Sequence, residues 1–179
     1  MTSKSIITFW FQELNSKQWW EKNPDLDAQI AERFLPTLLA AARGELFNWR
    51  TSAEGRLAEI LVLDQFSRNI FRGKPESFAQ DSLALILSQE AVLGGALSEL
   101  PPQKQAFLLM PYMHSESSLI HEEAIKLFSR PGLDFNLDFE KKHKVIIDRF
   151  GRYPHRNEIL GRISTPEEVE FLKQPGSSF

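Results

Sequence analysis

Nowhere in this chain do apolar and polar residues alternate for long enough to make a strand, and this limits the fold more than any other feature. The apolar residues recur at helical spacing, in segments cut by Pro and Gly. Asn23-Pro24 reads as a helix start: a cap residue, then Pro at the first helical position, with Asp25 and Asp27 in the first turn where the dipole favours acids. Ile30, Phe34, Leu38 and Ala41 form one stripe that stops near Gly44, and Pro36 inside it predicts a kink. Further helices are predicted over 5–14, 52–70, 79–97, 101–110, 115–128 and 137–150. Pro111 should close the fourth of these, Ser115 and Glu116 should open the fifth, and Thr165-Pro166-Glu167-Glu168 should cap a last short one. Leu83, Ile86, Leu87, Ala91 and Val92 are read as inward on the 79–97 segment. The reading is all-α, with about seven to nine helices stacked as hairpins in a single domain over residues 1–179. The usual 34-residue repeat signature is not visible.

A chain of 179 residues is long enough for a sizeable core. A net charge of -3 provides no basic field for nucleic acid or acidic membrane, so neither is expected as a partner. The absence of Cys excludes disulfides, thiolate catalysis and Cys-ligated metal sites. No signal peptide and no membrane span are read, which makes cytoplasmic the default location. Phe9, Trp10, Phe11, Trp19 and Trp20 form an aromatic cluster, which is read as core packing rather than a cofactor platform.

One stretch stands out chemically. Between His143 and Arg162 the chain places Arg149, Arg152, His155, Arg156 and Arg162, with only Asp148 and Glu158 to offset them. Guanidinium groups are always charged and match carboxylate or phosphate bidentately, so something must neutralise them. Either an anionic ligand does so, or an internal network in which Asp64, Asp81, Glu116, Glu122 or Asp148 meets Arg68, Arg149 and Arg152. Asp64 with Arg68, and Arg68 with Arg72, fall four apart on the 52–70 helix.

The chain has four histidines. His121 and His143 sit at core spacings and are expected to point inward. His121-Glu122 begins like a helical zinc motif, but Ile125 stands where the second ligand belongs. Glu140 and His143 match one Glu-x-x-His unit, and a di-iron bundle needs two. A site from His114, Glu116 and His121 is geometrically possible, but no metal or other cofactor is assigned. A nucleophile elbow and a phosphate loop are both missing.

Four blocks together resemble a known family. They are Leu63-Asp64-Gln65-Phe66 with Arg68-Asn69-Ile70-Phe71-Arg72-Gly73; Met110-Pro111 with His114-Ser115-Glu116 and His121-Glu122; Phe150 to Asn157 with Leu160-Gly161-Arg162; and the Pro-Gly-Ser-Ser-Phe end. In this order they resemble the bacterial domain of unknown function 924 over nearly the whole chain. The resemblance implies an all-α fold similar to tetratricopeptide-repeat-like proteins, and it implies no established activity. Ser67 departs from it, since Pro is expected there, and this leaves a kink at that point open. The polar residues that the resemblance marks are Asp64, Arg68, Arg72, His114, Glu116, His121, Arg152, His155 and Arg156.

Three functions follow as expectations. The first is a helical protein that binds a small anionic ligand or an acidic peptide end through Asp64, Arg68, Arg72, Arg152, His155 and Arg156. The second is a hydrolase of a phosphorylated or acidic small molecule, with His114 or His121 as general base and Glu116 as its orienting partner. The third is a scaffold that binds another protein and has no small-molecule site. Phe179 is expected to dock in a groove rather than hang loose.

Overall fold

Helix starts in this chain are set by capping residues that can be read in the sequence. In the computed structural model, which describes residues 1–178, Asn23 accepts from the N–H groups of Asp25 and Leu26 at 3.0 and 3.1 Å. α2 (Pro24–Ala42) then runs unbroken through Pro36. It follows α1 (Ser3–Thr8), which continues as a wider helical turn, Phe9–Glu13. Phe179 lies outside the described residues.

α3 (Ala53–Leu61) and α4 (Ser67–Ile70) are joined by another wide turn, Val62–Phe66, so the segment predicted over 52–70 is one helical rod with a bulge. Such bulges in a helix are frequent at functional sites, and this one carries Asp64 and Gln65. Ser67 keeps ordinary helical backbone at φ -57, so the irregularity lies in the turn before it.

The segment predicted over 79–97 divides. α5 (Asp81–Leu93) ends at Gly94, Gly95 takes φ 82, and α6 (Ala96–Glu99) follows. A left-handed backbone suits glycine because it lacks a Cβ. Ile86 was expected inward and is instead 54 % exposed, on the far side of α5 from buried Leu87 and Ala91. α7 (Pro102–Met113) passes through Pro111, which was expected to close it. Pro111 lies in the last turn, so the helix loses one donor there and no interior turn. α8 (Ser118–Phe128) begins later than Ser115, and no side chain caps it. α9 (Asp134–Phe150) ends at Gly151, and α10 (Pro166–Phe171) completes the chain.

Every element among the described residues is helical. Helices adjacent in sequence pack together, α7 on α8 and α8 on α9, while α3 packs on α1, α5 and α7. Phe9, Trp10, Phe34 and Phe66 fill the main core with ring contacts of 4.8–5.9 Å between centroids. Ile146, Ile147 and Tyr153 form a second, smaller core under α10. Among the described residues no helix is long and apolar enough to cross a membrane.

The start of α10 shows how sequence fixes this end of the molecule. Thr165 Oγ1 accepts from the N–H of Glu168, and the Glu168 carboxylate accepts from the N–H of Thr165. The same carboxylate takes two bonds from Arg152, at 2.6 and 2.7 Å, and one from Asn157. The Arg152 bonds first, then the Thr165 N–H, outweigh burial and hold the Glu168 carboxyl at about 2, below its ordinary 4.5. A lowered folded-state pKa stabilises above the unfolded value and is lost as pH falls through the folded one. Glu168→Gln should therefore remove acid sensitivity between pH 4.5 and about 2. Urea unfolding at stepped pH should show the loss as about 1–2 kcal/mol, because water around Arg152 screens the pair. A variant with the wild-type slope in that window would show that Glu168 is not the group responsible.

Candidate functional site

Asp64 sits in the wide turn of the α3–α4 rod and is 1 % exposed. A carboxylate buried this deeply needs its lone pairs filled. Oδ1 accepts from Nδ1 of His114 at 2.7 Å and lies 3.0 Å from Arg68 as an ion pair, Oδ2 accepts from Gln65 at 2.6 Å, and the Asp64 backbone carbonyl accepts from Arg68 at 2.8 Å. Burial pushes the carboxyl up, but the Arg68 charge and the His114 and Gln65 contacts outweigh it and hold it well below the usual range. His114 shifts down, chiefly through burial and then the Arg68 charge, against the pull of Asp64. At neutral pH the pair is thus carboxylate and neutral imidazole, with the proton on Nδ1.

Arg68 spans Asp64 and Asp81, with N–O distances of 3.0 Å to both. Arg156 comes from the short turn Pro154–Arg156 and meets the same Asp81 at 3.0 Å, while its other arm donates to the carbonyl of His114 at 3.0 Å. Its guanidinium lies between the rings of Phe78 and Tyr153, at 4.6 and 4.7 Å. Burial first, and then the neighbouring Arg68 charge, lower the Arg156 pKa in spite of Asp81 and Glu116. The cation there is not fully compensated.

Arg68, His114 and Arg156 border a cavity of about 680 Å³, within the usual size of small-molecule sites. Arg68, Arg72, His114, His155 and Arg156 line it. Trp19, Trp20, Phe135 and Phe139 supply aromatic walls, and Trp20 and Phe135 are more than half exposed at the surface. The aromatic cluster read as core is therefore split: Phe9 and Trp10 are buried, while Trp19 and Trp20 border the cavity. The carboxylates that pair with the three arginines, Asp27, Asp64 and Asp81, are not among the lining residues. A smaller cavity of about 300 Å³ shares His114, Phe78 and Arg156 with the first and is otherwise bordered by Asp81, Ser115 and Glu116.

The imidazoles of the large cavity are neutral as well. Burial is the main cause for both His143, held at about 3, and His155, held at about 4. His143 donates from Nδ1 to the Phe139 carbonyl at 2.8 Å.

Other predicted site residues are placed elsewhere. His121 is fully buried, as expected, and has both ring nitrogens engaged. Nδ1 hydrogen-bonds the Glu140 carboxyl at 2.6 Å, and Nε2 donates to the Ser115 carbonyl at 2.9 Å. Burial raises the Glu140 carboxyl above its ordinary value, against the His121 contact. Glu116 does not orient His114. It accepts two bonds from Arg162, at 2.7 and 2.9 Å, and one from the N–H of Tyr153. The trio His114, Glu116 and His121 thus goes to three separate partners, and among the described residues no three His, Asp or Glu side chains are grouped to hold a metal ion. Arg152 lines neither cavity and is held by Glu168. Arg149 pairs with Glu167 at the surface. Arg72 reaches the cavity wall with its Nε and NH2 on Asp27, at 2.6 and 2.9 Å.

Sequence reasoning missed Tyr153 and Phe78, and it weighed Glu140 only as half of a di-iron pattern, not as the partner of His121. Tyr153 was the most accessible of these, being an aromatic residue with a polar tip beside Gly151 and Pro154; its hydroxyl donates to the Met113 carbonyl at 2.6 Å.

The sequence pattern of a bacterial family described as proteins of unknown function, domain 924, matches residues 6–176. A solved structure of a protein of unknown function from Agrobacterium tumefaciens is similar over 96 % of each chain, at 36 % identity and a TM-score of 0.91. No curated protein matches the chain.

Proposed function

The chain belongs to the bacterial family of domain of unknown function 924, and we propose that this member binds a small molecule with an apolar body and one negatively charged end. The observation that carries the reading is the layering of charge at the cavity. Arg68, Arg72 and Arg156 face it, and their acid partners stand among residues that do not line it. Glu21 is an acid among the lining residues and pairs with Lys17 at the surface, so an incoming carboxylate or phosphate meets three guanidinium groups against that one carboxylate. The lowered pKa of Arg156 supports the same reading, because a cation short of negative charge gains from an anion. Trp19, Trp20, Phe135 and Phe139 offer ring surface to the apolar body. His155 and His114 add directional hydrogen bonds.

The test is a thermal-shift series with phenylacetate, its neutral amide, inorganic phosphate, and a short peptide with a free or amidated carboxyl end. At 100 times its dissociation constant a ligand adds about 2.7 kcal/mol. Phenylacetate or the free-acid peptide should stabilise, each more than its amide, and Arg72→Gln should weaken the effect. A preference for the peptide would identify the source of the anion as a chain end. Equal shifts for acid and amide, or none, would overturn the reading.

A further inference from the structure

His114 is an imidazole at the cavity that a buried carboxylate orients. His121 is sealed, with both nitrogens bonded, and Glu116 is held by Arg162. In His114 the buried Asp64 carboxylate fixes the proton on Nδ1 and leaves Nε2 with its lone pair. Among the described residues Nε2 has no hydrogen-bond partner, and it is not one of the polar atoms buried without one. His114 borders both cavities. Arg156 holds the His114 carbonyl, which fixes the backbone beneath the ring.

We propose that His114 is a general base that activates water to hydrolyse a carboxylic ester held in this cavity, with Asp64 as its positioning residue. The inference rests on the reading of the cavity as a site for apolar-bodied carboxylates, since such a carboxylate is the product. Water gives a proton to Nε2 as its oxygen bonds to the acyl carbon. The carbonyl becomes an oxyanion, and Arg68 and Arg156 line the same cavity to offset that charge. When the oxyanion collapses the bond to the alkoxy oxygen breaks, and His114 returns the proton to the departing alkoxide. A carboxylic acid and an alcohol leave, and at neutral pH the acid gives its remaining proton to solvent and becomes the carboxylate. Base, orienting carboxylate and charge-stabilising donors are then all present at one site.

The experiment uses the full chain and 4-nitrophenyl phenylacetate, with phenylacetate binding followed separately by thermal shift. Wild type should release nitrophenolate above the buffer rate, with a normal solvent deuterium isotope effect. His114→Gln should lose on the order of 10²–10⁴-fold in kcat/KM and still bind phenylacetate. Asp64→Asn should lower kcat and move the acidic limb of the pH profile downward, because the Asp64 charge raises the His114 pKa against Arg68. A purely structural Asp64 would change the rate and leave that limb in place. If His114→Gln does not fold, His114→Asn and imidazole rescue replace it. Phenylacetate binding without ester hydrolysis, or undiminished hydrolysis in the His114 variant, would overturn the catalytic proposal alone. Absence of phenylacetate binding would overturn the reading of the cavity beneath it.

Discussion

Asp64→Ala should destabilise the protein by about 3–5 kcal/mol in urea unfolding, among the largest effects of any single polar substitution in this chain. The reason is what the change leaves behind. Asp64 is 1 % exposed and satisfies Arg68, His114 and Gln65 together. Without it Arg68 keeps Asp81 alone, and Arg156 must share that carboxylate. Two guanidinium groups on one acid, in a place poor in water, carry an uncompensated charge. The double variant Asp64→Ala with Arg68→Met removes the stranded cation and should recover part of the loss. The two substitutions should therefore be strongly non-additive. A single-variant cost under about 1 kcal/mol, or simple additivity, would contradict this account.

Gly55→Ala should cost more than about 3 kcal/mol, although the same change in an open helix normally gains up to about 1 kcal/mol. Gly55 lies in the first turn of α3, where the short turn Phe47–Thr51 crosses it. A methyl group there would meet the carbonyl oxygen of Trp49 well inside contact distance, and the carbonyl carbon at 2.9 Å. Both are backbone atoms, so relief requires moving the crossing turn. That turn carries Arg50, whose guanidinium grips buried Glu59 at 2.7 Å through both arms. A shift would therefore loosen an ion pair as well. Calorimetric melting checks the sign directly: a rise in Tm would show that the turn is free to move.

Much of the fold was legible in the sequence because helix ends are local chemistry. Asn23 and Thr165 cap where their residue types predict, since a cap needs only the next three residues. The misreadings have a common physical source. Pro111 and Ile86 were assigned from local rules, but the last turn of a helix tolerates Pro, and α5 is buried on one side only. The site was half legible. Asp64, Arg68, His114 and Arg156 do meet, and it was the family resemblance that marked them together, while charge alone paired Asp64 only with Arg68. Partner choice could not be read. Glu116 was the acid closest to His114 in sequence, yet the acid that reaches the ring lies 50 positions away, and Glu168, never considered as a partner for Arg152, holds it. Pairing of that kind is decided by which helix faces meet, and spacing along the chain carries no record of it.

The Asp81–Arg156 bond joins positions 75 apart, and the Asp64–His114 bond joins positions 50 apart. Each closes a long loop, and closure entropy is met only when most of the chain between is already ordered. The polar side of the cavity should therefore form late in folding, after the local helices that frame it. Its amides should exchange with solvent only when the chain opens globally, so occupancy of the cavity and integrity of the whole molecule report on each other.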